Sequence, residues 1–177
     1  GDLLIFTKKL GTGMIVAAKN MDMDSENGFL EAAASMTLLN KYACEAMDGF
    51  CVHACTDVTG FGFMNHLIEM MEGSGKSAII YKEKLPVMAS AYAYAKAFMI
   101  TCAGQRNRKF AADKVLFTDN DYAFEEVVFD PQTSGGLLIA CEEKDAEALL
   151  CRIKERNPAA AIVGQVTDAT EQRVTVL

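Results

Sequence analysis

The pattern of apolar and polar positions divides the chain into short apolar runs and longer stretches of helical periodicity. The apolar runs predict buried strands at 3–6, 51–55, 78–81 and 137–141. Apolar residues recurring three or four positions apart predict helices at about 29–47, after Gly62, after Pro86 and around 146–153. Residues 161–166 and 173–176 alternate weakly and are predicted to pair as a terminal hairpin. Residues 14–18 fit either a helix or a strand.

Interleaved strands and helices predict an α/β or α+β sandwich, in which helices pack on a mixed β-sheet. The predicted helix from Phe29 to Met47 has an alanine-rich face, which favours close packing on that sheet. This face comprises Ala32, Met36, Leu39, Ala43, Ala46 and Met47.

Two segments lack periodicity and are predicted to be loops, the second of them an ordered loop with short pieces of structure. The first, 21–27, is polar and contains Asp22, Asp24 and Glu26. The second, 101–121, contains a short basic cluster of Arg106, Arg108 and Lys109. We interpret this basic cluster as part of a solvated loop, with phosphate contact as the alternative.

Length, composition and charge narrow the class of protein. A chain of 177 residues predicts one domain, and 51% hydrophobic with 23% charged residues is typical of a soluble globular protein. The formal net charge of -7 disfavours a nucleic-acid partner. No apolar run approaches the roughly 20 residues of a membrane span, and no signal peptide opens the chain. We therefore expect a cytoplasmic protein without a membrane partner, and we interpret the abrupt start at Gly1 as that of a fragment.

The chain contains six cysteines, and most of them lie in apolar patterns typical of reduced protein cores. A zinc site is disfavoured because the Cys51-x-x-x-Cys55 spacing has no second pair. Alternation along the strand nevertheless places His53 on the same face as these two cysteines. We interpret the cysteines as core thiols, with a metal–cysteine site as the alternative.

The stretch from Thr56 to Gly62 lies between a predicted strand and a predicted helix. Such a turn offers backbone amides, a positive helix N-terminus and, in Asp57, a carboxylate. This arrangement suits a phosphate bound through Mg²⁺. The competing interpretation is that Asp57 or Thr59 only caps the helix and the glycines only form the turn. Further along the helix, His66 falls on the polar side with Glu69 and is interpreted as a surface residue.

The residues of this turn, and those of two other segments, resemble sequence motifs of a known enzyme family. Val52-His53-Ala54 followed by Thr-Asp-Val-Thr-Gly-Phe-Gly closely resembles the signature of selenophosphate synthetase, or selenide, water dikinase. The first 13 residues resemble that family's GDxLxLTKPLGTG segment, with Lys9 where the family usually has proline. The segment from Asp130 to Leu138 resembles its DPQTSGGLL segment, and Arg106-Asn107 is a weaker match to an Arg-Asn pair. The three motifs occur in the family's order between residues 1 and 139. The resemblance covers essentially the whole chain but only the C-terminal half of that family's enzymes.

The resemblance implies a single domain over 1–177, with the fold of the C-terminal domain of the aminoimidazole-ribonucleotide-synthetase-like superfamily. Enzymes of this family use ATP, selenide and water to make selenophosphate, AMP and orthophosphate, with Mg²⁺ on the phosphates. The N-terminal ATP-binding domain, with the reactive Cys or Sec and a Lys, is implied to be the missing partner. A homodimer is implied for the full-length enzyme, and the fragment is expected to be inactive alone.

Carried over to this sequence, the resemblance makes Asp57 the aspartate that this half contributes to Mg²⁺ and ATP. No catalytic residue is expected in this half. The residues implied to shape the nucleotide-binding turn and its rim are Thr56, Thr59, Gly60, Thr12, Gly13, Ser134 and Gly135. The alternatives are a purine-synthesis synthetase, a hydrogenase-maturation protein, a non-catalytic interaction module and a metal-binding or redox thiol protein.

Overall fold

A mixed β-sheet forms the centre of the molecule, in a computed structural model that describes residues 1–24, 27–111 and 113–177. Seven strands are seen in these residues: β1 (Leu3–Phe6), β2 (Val52–Asp57), β3 (Ser77–Ile80), β4 (Val115–Phe117), β5 (Leu137–Cys141), β6 (Ala161–Thr167) and β7 (Val174–Val176). The helices are α1 (Thr12–Asn20), α2 (Gly28–Thr37), α3 (Lys41–Ala46), α4 (Gly62–Ser74), α5 (Ala89–Lys96), α6 (Cys102–Ala111), α7 (Tyr122–Phe129) and α8 (Glu143–Lys154). The predicted α/β class with a mixed sheet is confirmed.

The strand order is β2-β5-β1-β6-β3-β7-β4. Strand β5 runs antiparallel to both β1 and β2, so these two strands run in the same direction. The last residues of β1 and β2 and the first residues of β5 therefore lie at one end of the sheet. This topology brings together the three segments that carry the family resemblance.

Helices cover both faces of the sheet because its central strands are apolar on both sides. Leu4, Phe6 and Leu138 face a large core shared with α1, α4, α5 and α7. Ile5 and Ile139 face a smaller core shared with α3 and α8. Strand β5 is buried along its whole length, as the continuous apolar run 137–141 predicts.

The single helix predicted over 29–47 is wrong, because the chain breaks at Leu38 into α2 and α3. Leu38 has an extended conformation, with φ -69° and ψ 119°. Its carbonyl accepts a hydrogen bond from Lys8 Nζ at 2.7 Å instead of continuing a helix. The two pieces then pack into different cores, with Ala32 in the larger one and Ala43 in the smaller one. A contact with a residue distant in sequence therefore ends α2.

The loop predicted over 101–121 is also wrong, since most of it forms α6 and β4. The buried positions of α6 are Gly104, Asn107 and Ala111, which are small or polar. Such a helix shows no apolar periodicity although it has a buried face. The loop predicted over 21–27 includes Glu26, which lies outside the described residues.

The terminal hairpin of 161–166 with 173–176 is wrong as well. Strand β6 pairs with β1 and β3, whereas β7 lies in parallel register between β3 and β4. Strand β3 thus separates the two strands predicted to be partners. Short alternating runs specify a strand but not its neighbour.

The predicted core location of the cysteines is wrong for all but Cys141, because Cys44, Cys51, Cys55, Cys102 and Cys151 are exposed. Strand β2 is at the edge of the sheet, and its residues alternate between half-buried and exposed. Cys51 Sγ lies 3.2 Å from His53 Nε2, and His53 Nδ1 lies 2.7 Å from Asp2 Oδ2. In the described part of the chain, no helix is both long and apolar enough to cross a membrane.

Candidate functional site

The three family-like segments meet at the end of the sheet where β1 and β2 finish and β5 begins. The Val58 amide donates to the Gly136 carbonyl at 2.9 Å, and the Gln132 amide donates to the Thr59 carbonyl at 3.0 Å. The Leu137 amide donates to Thr7 Oγ1 at 2.8 Å. The segment from Asp130 to Gly136 therefore lies between the other two and is bonded to both.

The side chain of Gln132 holds the start of α1. Its Oε1 accepts hydrogen bonds from the Gly11 amide at 3.0 Å, the Thr12 amide at 3.2 Å and Thr12 Oγ1 at 3.1 Å. Thr12 Oγ1 in turn accepts from the Thr133 amide at 2.9 Å. Amides at a helix start have no partner within the helix, and Gln132 satisfies them from 120 residues away in sequence.

Asp130 is a fully buried carboxyl group behind this helix start. Burial raises its pKa to about 7, although hydrogen bonds from the Met14 amide, Thr101 Oγ1, the Gly13 amide and Gln132 oppose that shift. The Met14 amide lies 3.0 Å from Asp130 Oδ2, and Thr101 Oγ1 lies 3.1 Å from Oδ1. Asp130 therefore links α1 to the residues preceding α6.

Lys8 is a buried cation that makes no ion pair among the described residues. Its Nζ donates to the carbonyls of Leu38 and Ser134, each at 2.7 Å. Burial lowers the pKa of its ammonium group. Lys8 thus ties the α2–α3 break to the segment before β5, a role that its sequence position did not indicate.

Glycines allow the segments to approach one another closely. A Cβ on Gly135 would lie 2.0 Å from the Val58 carbonyl oxygen. Gly62 has φ +76°, and a Cβ there would lie 2.7 Å from the Phe129 carbonyl oxygen. At Gly60, by contrast, a Cβ would meet no described atom within 4 Å apart from those of its chain neighbours. Packing therefore requires Gly135 and Gly62 but not Gly60.

The predicted strand-to-helix turn is confirmed, with Asp57 as the last residue of β2 and α4 beginning at Gly62. Asp57 and Gly60 are exposed, whereas Thr56 and Thr59 are half-buried. No hydrogen bond or ion pair is made by the Asp57 carboxylate within the part of the chain that the structure describes. The N-cap position of helix α4 is Phe61, which makes no side-chain capping hydrogen bond. The interpretation of Asp57 or Thr59 as a helix cap is therefore wrong.

The other predicted site residues divide into buried and exposed ones. Thr12 and Gly135 are buried, and Thr12 Oγ1 is already hydrogen-bonded to Gln132. Gly13 packs against the Pro131 carbonyl, where a Cβ would lie 2.4 Å from the oxygen. Ser134 is exposed, with φ +48°, which is rare for a residue other than glycine. Among these four predicted rim residues, Ser134 is the one with an exposed side chain. Contact of the four residues with a ligand remains a prediction.

Two polar residues support the turn in a role that the sequence did not predict. Asn107 Nδ2 donates to the carbonyls of Gly60 at 2.9 Å and Phe129 at 3.0 Å. His66 is 8% exposed rather than on the surface, and its Nε2 lies 3.2 Å from Thr59 Oγ1. Arg106-Asn107 had indicated the Asn position only as a weak motif match.

The exposed Asp57 carboxylate is chemically suited to be one ligand of a magnesium ion. An exposed carboxylate is a hard oxygen ligand, and Mg²⁺ in nucleotide sites takes one or two carboxylates together with phosphate oxygens. Among the residues that the structure describes, no group of three or more His, Cys, Asp or Glu side chains is arranged to hold a metal. This chain therefore presents one ligand rather than a complete cage.

Comparison with known proteins extends the likeness over the whole chain. The family model for the C-terminal domain of AIR synthase related proteins matches residues 1–177. The chain belongs to this family. It is 45% identical over 166 residues to a selenide, water dikinase of Desulfitobacterium hafniense, a match that covers 94% of the chain and 48% of that protein. A selenide, water dikinase of Clostridium botulinum is 40% identical over 177 residues, covering 99% of the chain and 51% of that protein. The chain thus spans about half the length of these curated relatives.

Solved structures confirm the fold of this AIR synthase related domain. E. coli HypE matches with a TM-score of 0.72 at 19% identity, covering 99% of the chain and 46% of HypE. A hydrogenase maturation protein HypE in complex with ATP matches with a TM-score of 0.58 at 17% identity, covering 99% of the chain and 47% of that protein. The resemblance to selenide, water dikinases is confirmed by sequence, whereas the HypE likeness is one of fold.

Proposed function

We propose that this chain is the C-terminal domain of an enzyme that makes selenophosphate, AMP and orthophosphate from ATP, selenide and water. The proposal draws on the identity of 45% to a selenide, water dikinase. It assigns the reactive Cys or Sec and a Lys to the half that this chain lacks. The chain alone is then inactive, and the full-length enzyme works as a cytoplasmic homodimer.

The observation that carries the proposal is the exposed Asp57 carboxylate at the end of β2, which has no hydrogen-bond or ion-pair partner among the described residues. Neighbouring side chains and carbonyls are occupied: Thr12 by Gln132, Lys8 by two carbonyls and Gly60 by Asn107. The turn that carries Asp57 is therefore held rigidly while its charge faces solvent. A rigid support with one free charge is the arrangement that preorganised binding of a cation requires.

In this proposal, the Asp57 carboxylate would hold a Mg²⁺ ion that accompanies ATP. Such an ion neutralises charge that develops during phosphoryl transfer. The backbone of Thr59 and Gly60 would line the approach of the phosphates, because a Cβ at Gly60 would meet no described atom within 4 Å beyond its chain neighbours. Thr56, Ser134 and, behind them, Thr12, Gly13 and Gly135 form or support the rim. The ATP-bound HypE shows that a protein of this fold binds ATP.

Substitution of Asp57 by Asn in the full-length protein tests this proposal. The amide keeps the side-chain shape but removes the negative charge that a hard cation requires. We expect selenide-dependent turnover of ATP to AMP to fall about a hundredfold or more, the scale of lost charge stabilisation in a transition state. The melting temperature should remain unchanged, because the carboxylate makes no hydrogen bond or ion pair with a described residue.

Asp48→Asn provides the matched control, since Asp48 is also exposed and lies before the same strand. It should leave both turnover and melting temperature unchanged. Normal turnover by Asp57→Asn at saturating Mg²⁺ would refute the metal role. The alternative of a non-catalytic interaction module predicts that outcome.

A further inference from the structure

A cavity of about 590 Å³ lies between α6, β4 and α7, apart from the Asp57 turn. Its volume is in the range of ligand pockets, roughly 300–1,000 Å³. Helix α6 supplies a charged wall, and β4 with Phe129 of α7 supplies an apolar floor. Glu125 of α7 also lines the cavity, where it is paired with Arg108. The sequence had placed the basic residues of this wall in a solvated loop.

The floor of the cavity is formed by Val115, Phe117 and Phe129. The Phe117 and Phe129 rings lie edge to face, with centroids 6.3 Å apart and an interplanar angle of 68°. Phe129 is 2% exposed and anchored in the main core, so this part of the floor is held in place. An apolar, ring-shaped group could pack here and remove aromatic surface from water.

The wall of the cavity carries three cations, and two carboxylates pair with one of them. Arg108 forms ion pairs with Glu125 and with the buried Glu126. Arg106 and Lys109 also line the cavity, and neither forms an ion pair within the described ranges. These two residues are three positions apart on a helix and therefore lie on neighbouring parts of one face.

Two unpaired cations beside an apolar concavity are unusual in a chain with formal net charge -7. Low-dielectric walls concentrate the field of such charges into the concavity, which favours an anion there. An arginine guanidinium matches phosphate oxygens in geometry, and a lysine ammonium adds a point charge. The two cations favour a phosphate group, and the apolar floor favours an aromatic ring in the same ligand.

We propose that this cavity binds an organic phosphate with an aromatic body, of mononucleotide size. The phosphate lies between Arg106 and Lys109, and the ring lies on Val115 and Phe117. Asp57 plays no part in this site, so it is separate from the proposed magnesium–ATP site. Because its contacts come from side-chain cations, binding needs no metal ion.

Isothermal titration of the purified chain with AMP, in EDTA, tests the proposal. We expect saturable binding that weakens about tenfold or more in the double variant Arg106→Gln, Lys109→Gln, the effect of losing charge-assisted hydrogen bonds. The matched control is Lys154→Gln with Arg156→Gln, which removes the same charge from exposed positions at the end of α8 and after it. It should change the affinity less than about twofold.

Inorganic phosphate and adenosine, the two parts of AMP, distinguish binding in the cavity from non-specific binding of an anion to the cations. Inorganic phosphate and adenosine should each bind at least about tenfold more weakly than AMP, since each fills half of the site. Equal affinity for phosphate and AMP would overturn the role of the apolar floor. Absence of saturable AMP binding, or equal weakening by both double variants, would overturn the site itself.

The variant Asp57→Asn distinguishes this proposal from the catalytic one. AMP affinity of the chain should be unchanged by it, and amide chemical shifts should move in α6, β4 and α7 rather than at 56–60. Loss of AMP binding in Asp57→Asn would assign the nucleotide to the magnesium site and refute the second cavity. Failure of AMP to bind the cavity would leave the Asp57 turnover test unaffected.

Discussion

The two glycines of the Asp57 turn, Gly60 and Gly62, differ in whether packing requires the absence of a side chain. This difference allows an effect on ligand binding to be measured separately from an effect on folding. Gly62 needs its positive φ and its lack of a Cβ, whereas Gly60 has open space around it. Both residues belong to the same short motif. Packing therefore requires glycine at position 62 of this motif but not at position 60.

Alanine substitutions at these two glycines should therefore affect different properties, stability at Gly62 and ATP binding at Gly60. Gly62→Ala should cost at least about 2 kcal/mol of stability, from the left-handed conformation and the clash with the Phe129 carbonyl. Gly60→Ala should change the unfolding free energy by less than about 0.5 kcal/mol. In the full-length enzyme, however, Gly60→Ala should raise the KM for ATP about tenfold if phosphates approach this backbone. Urea unfolding and steady-state kinetics check the pair, and an unchanged KM would refute the close approach.

Asp130 should make stability depend on pH in the direction opposite to that of most carboxylates. Its pKa of about 7 in the folded protein exceeds the ordinary value of 3.8, because burial penalises the charged form. The folded state therefore holds a proton that the unfolded state releases, and stability falls as pH rises from about 4 to about 7. Asn cannot ionise, so Asp130→Asn removes this dependence.

Between pH 5 and pH 8, the stability of the wild type relative to Asp130→Asn should fall by on the order of 2 kcal/mol. Urea unfolding at a series of pH values measures the difference and cancels the titration of other groups. A difference that stays constant across this range would mean that Asp130 is already ionised at pH 5 and stabilised by its four hydrogen-bond donors.

At the scale of elements, α6 shows how a helix without an apolar stripe is held in a core. Asn107 donates to two carbonyls, one in the Asp57 turn and one immediately before Asp130. The helix thus joins two of the three segments that form the site. Its other side carries the cations of the second cavity.

Asn107→Ala should therefore destabilise the protein by about 2–4 kcal/mol, because two carbonyls lose their donors within a buried environment. Arg106→Ala, on the exposed side of the same helix, should change stability by less than about 0.5 kcal/mol. Urea unfolding of both variants provides the measurement. A cost below about 1 kcal/mol for Asn107→Ala would mean that water replaces the lost donors.

At the scale of the whole molecule, the order of strands places the C-terminal strand inside the sheet rather than at its edge. Strand β7 is flanked by β3 and β4, and the Leu177 amide donates to the Ile80 carbonyl at 2.9 Å. The last residues of the chain thereby join β3 to β4. A hairpin with β6 would leave one side of β7 unpaired.

Hydrogen exchange distinguishes these topologies. The amides of Val174 to Val176 and Leu177 should exchange as slowly as those of the neighbouring strand β3, since both sides of β7 are paired. A terminal hairpin would leave alternate amides exposed and fast. Fast exchange at every second residue from Val174 to Leu177 would contradict the observed strand order.

The sequence by itself determined the features that depend on local pattern. A continuous apolar run is sufficient for β5, and the periodicity after Gly62 is sufficient for α4, because burial of each residue follows from its own side chain. Motif residues at fixed spacing likewise located Asp57 on a strand-to-helix turn. The family resemblance then identified three segments that matter together.

Only the tertiary structure decided the features that depend on partners distant in sequence. The Lys8 ammonium binds the Leu38 carbonyl where α2 ends, and Gln132 accepts hydrogen bonds from amides at the start of α1. Asn107 holds α6 against the core by a hydrogen bond, although this helix has no apolar stripe. Strand order likewise decided which cysteines are covered, since β2 lies at the edge of the sheet. A side chain's hydrogen-bonding capacity is visible in the sequence, but its partner is chosen by the three-dimensional arrangement of the chain.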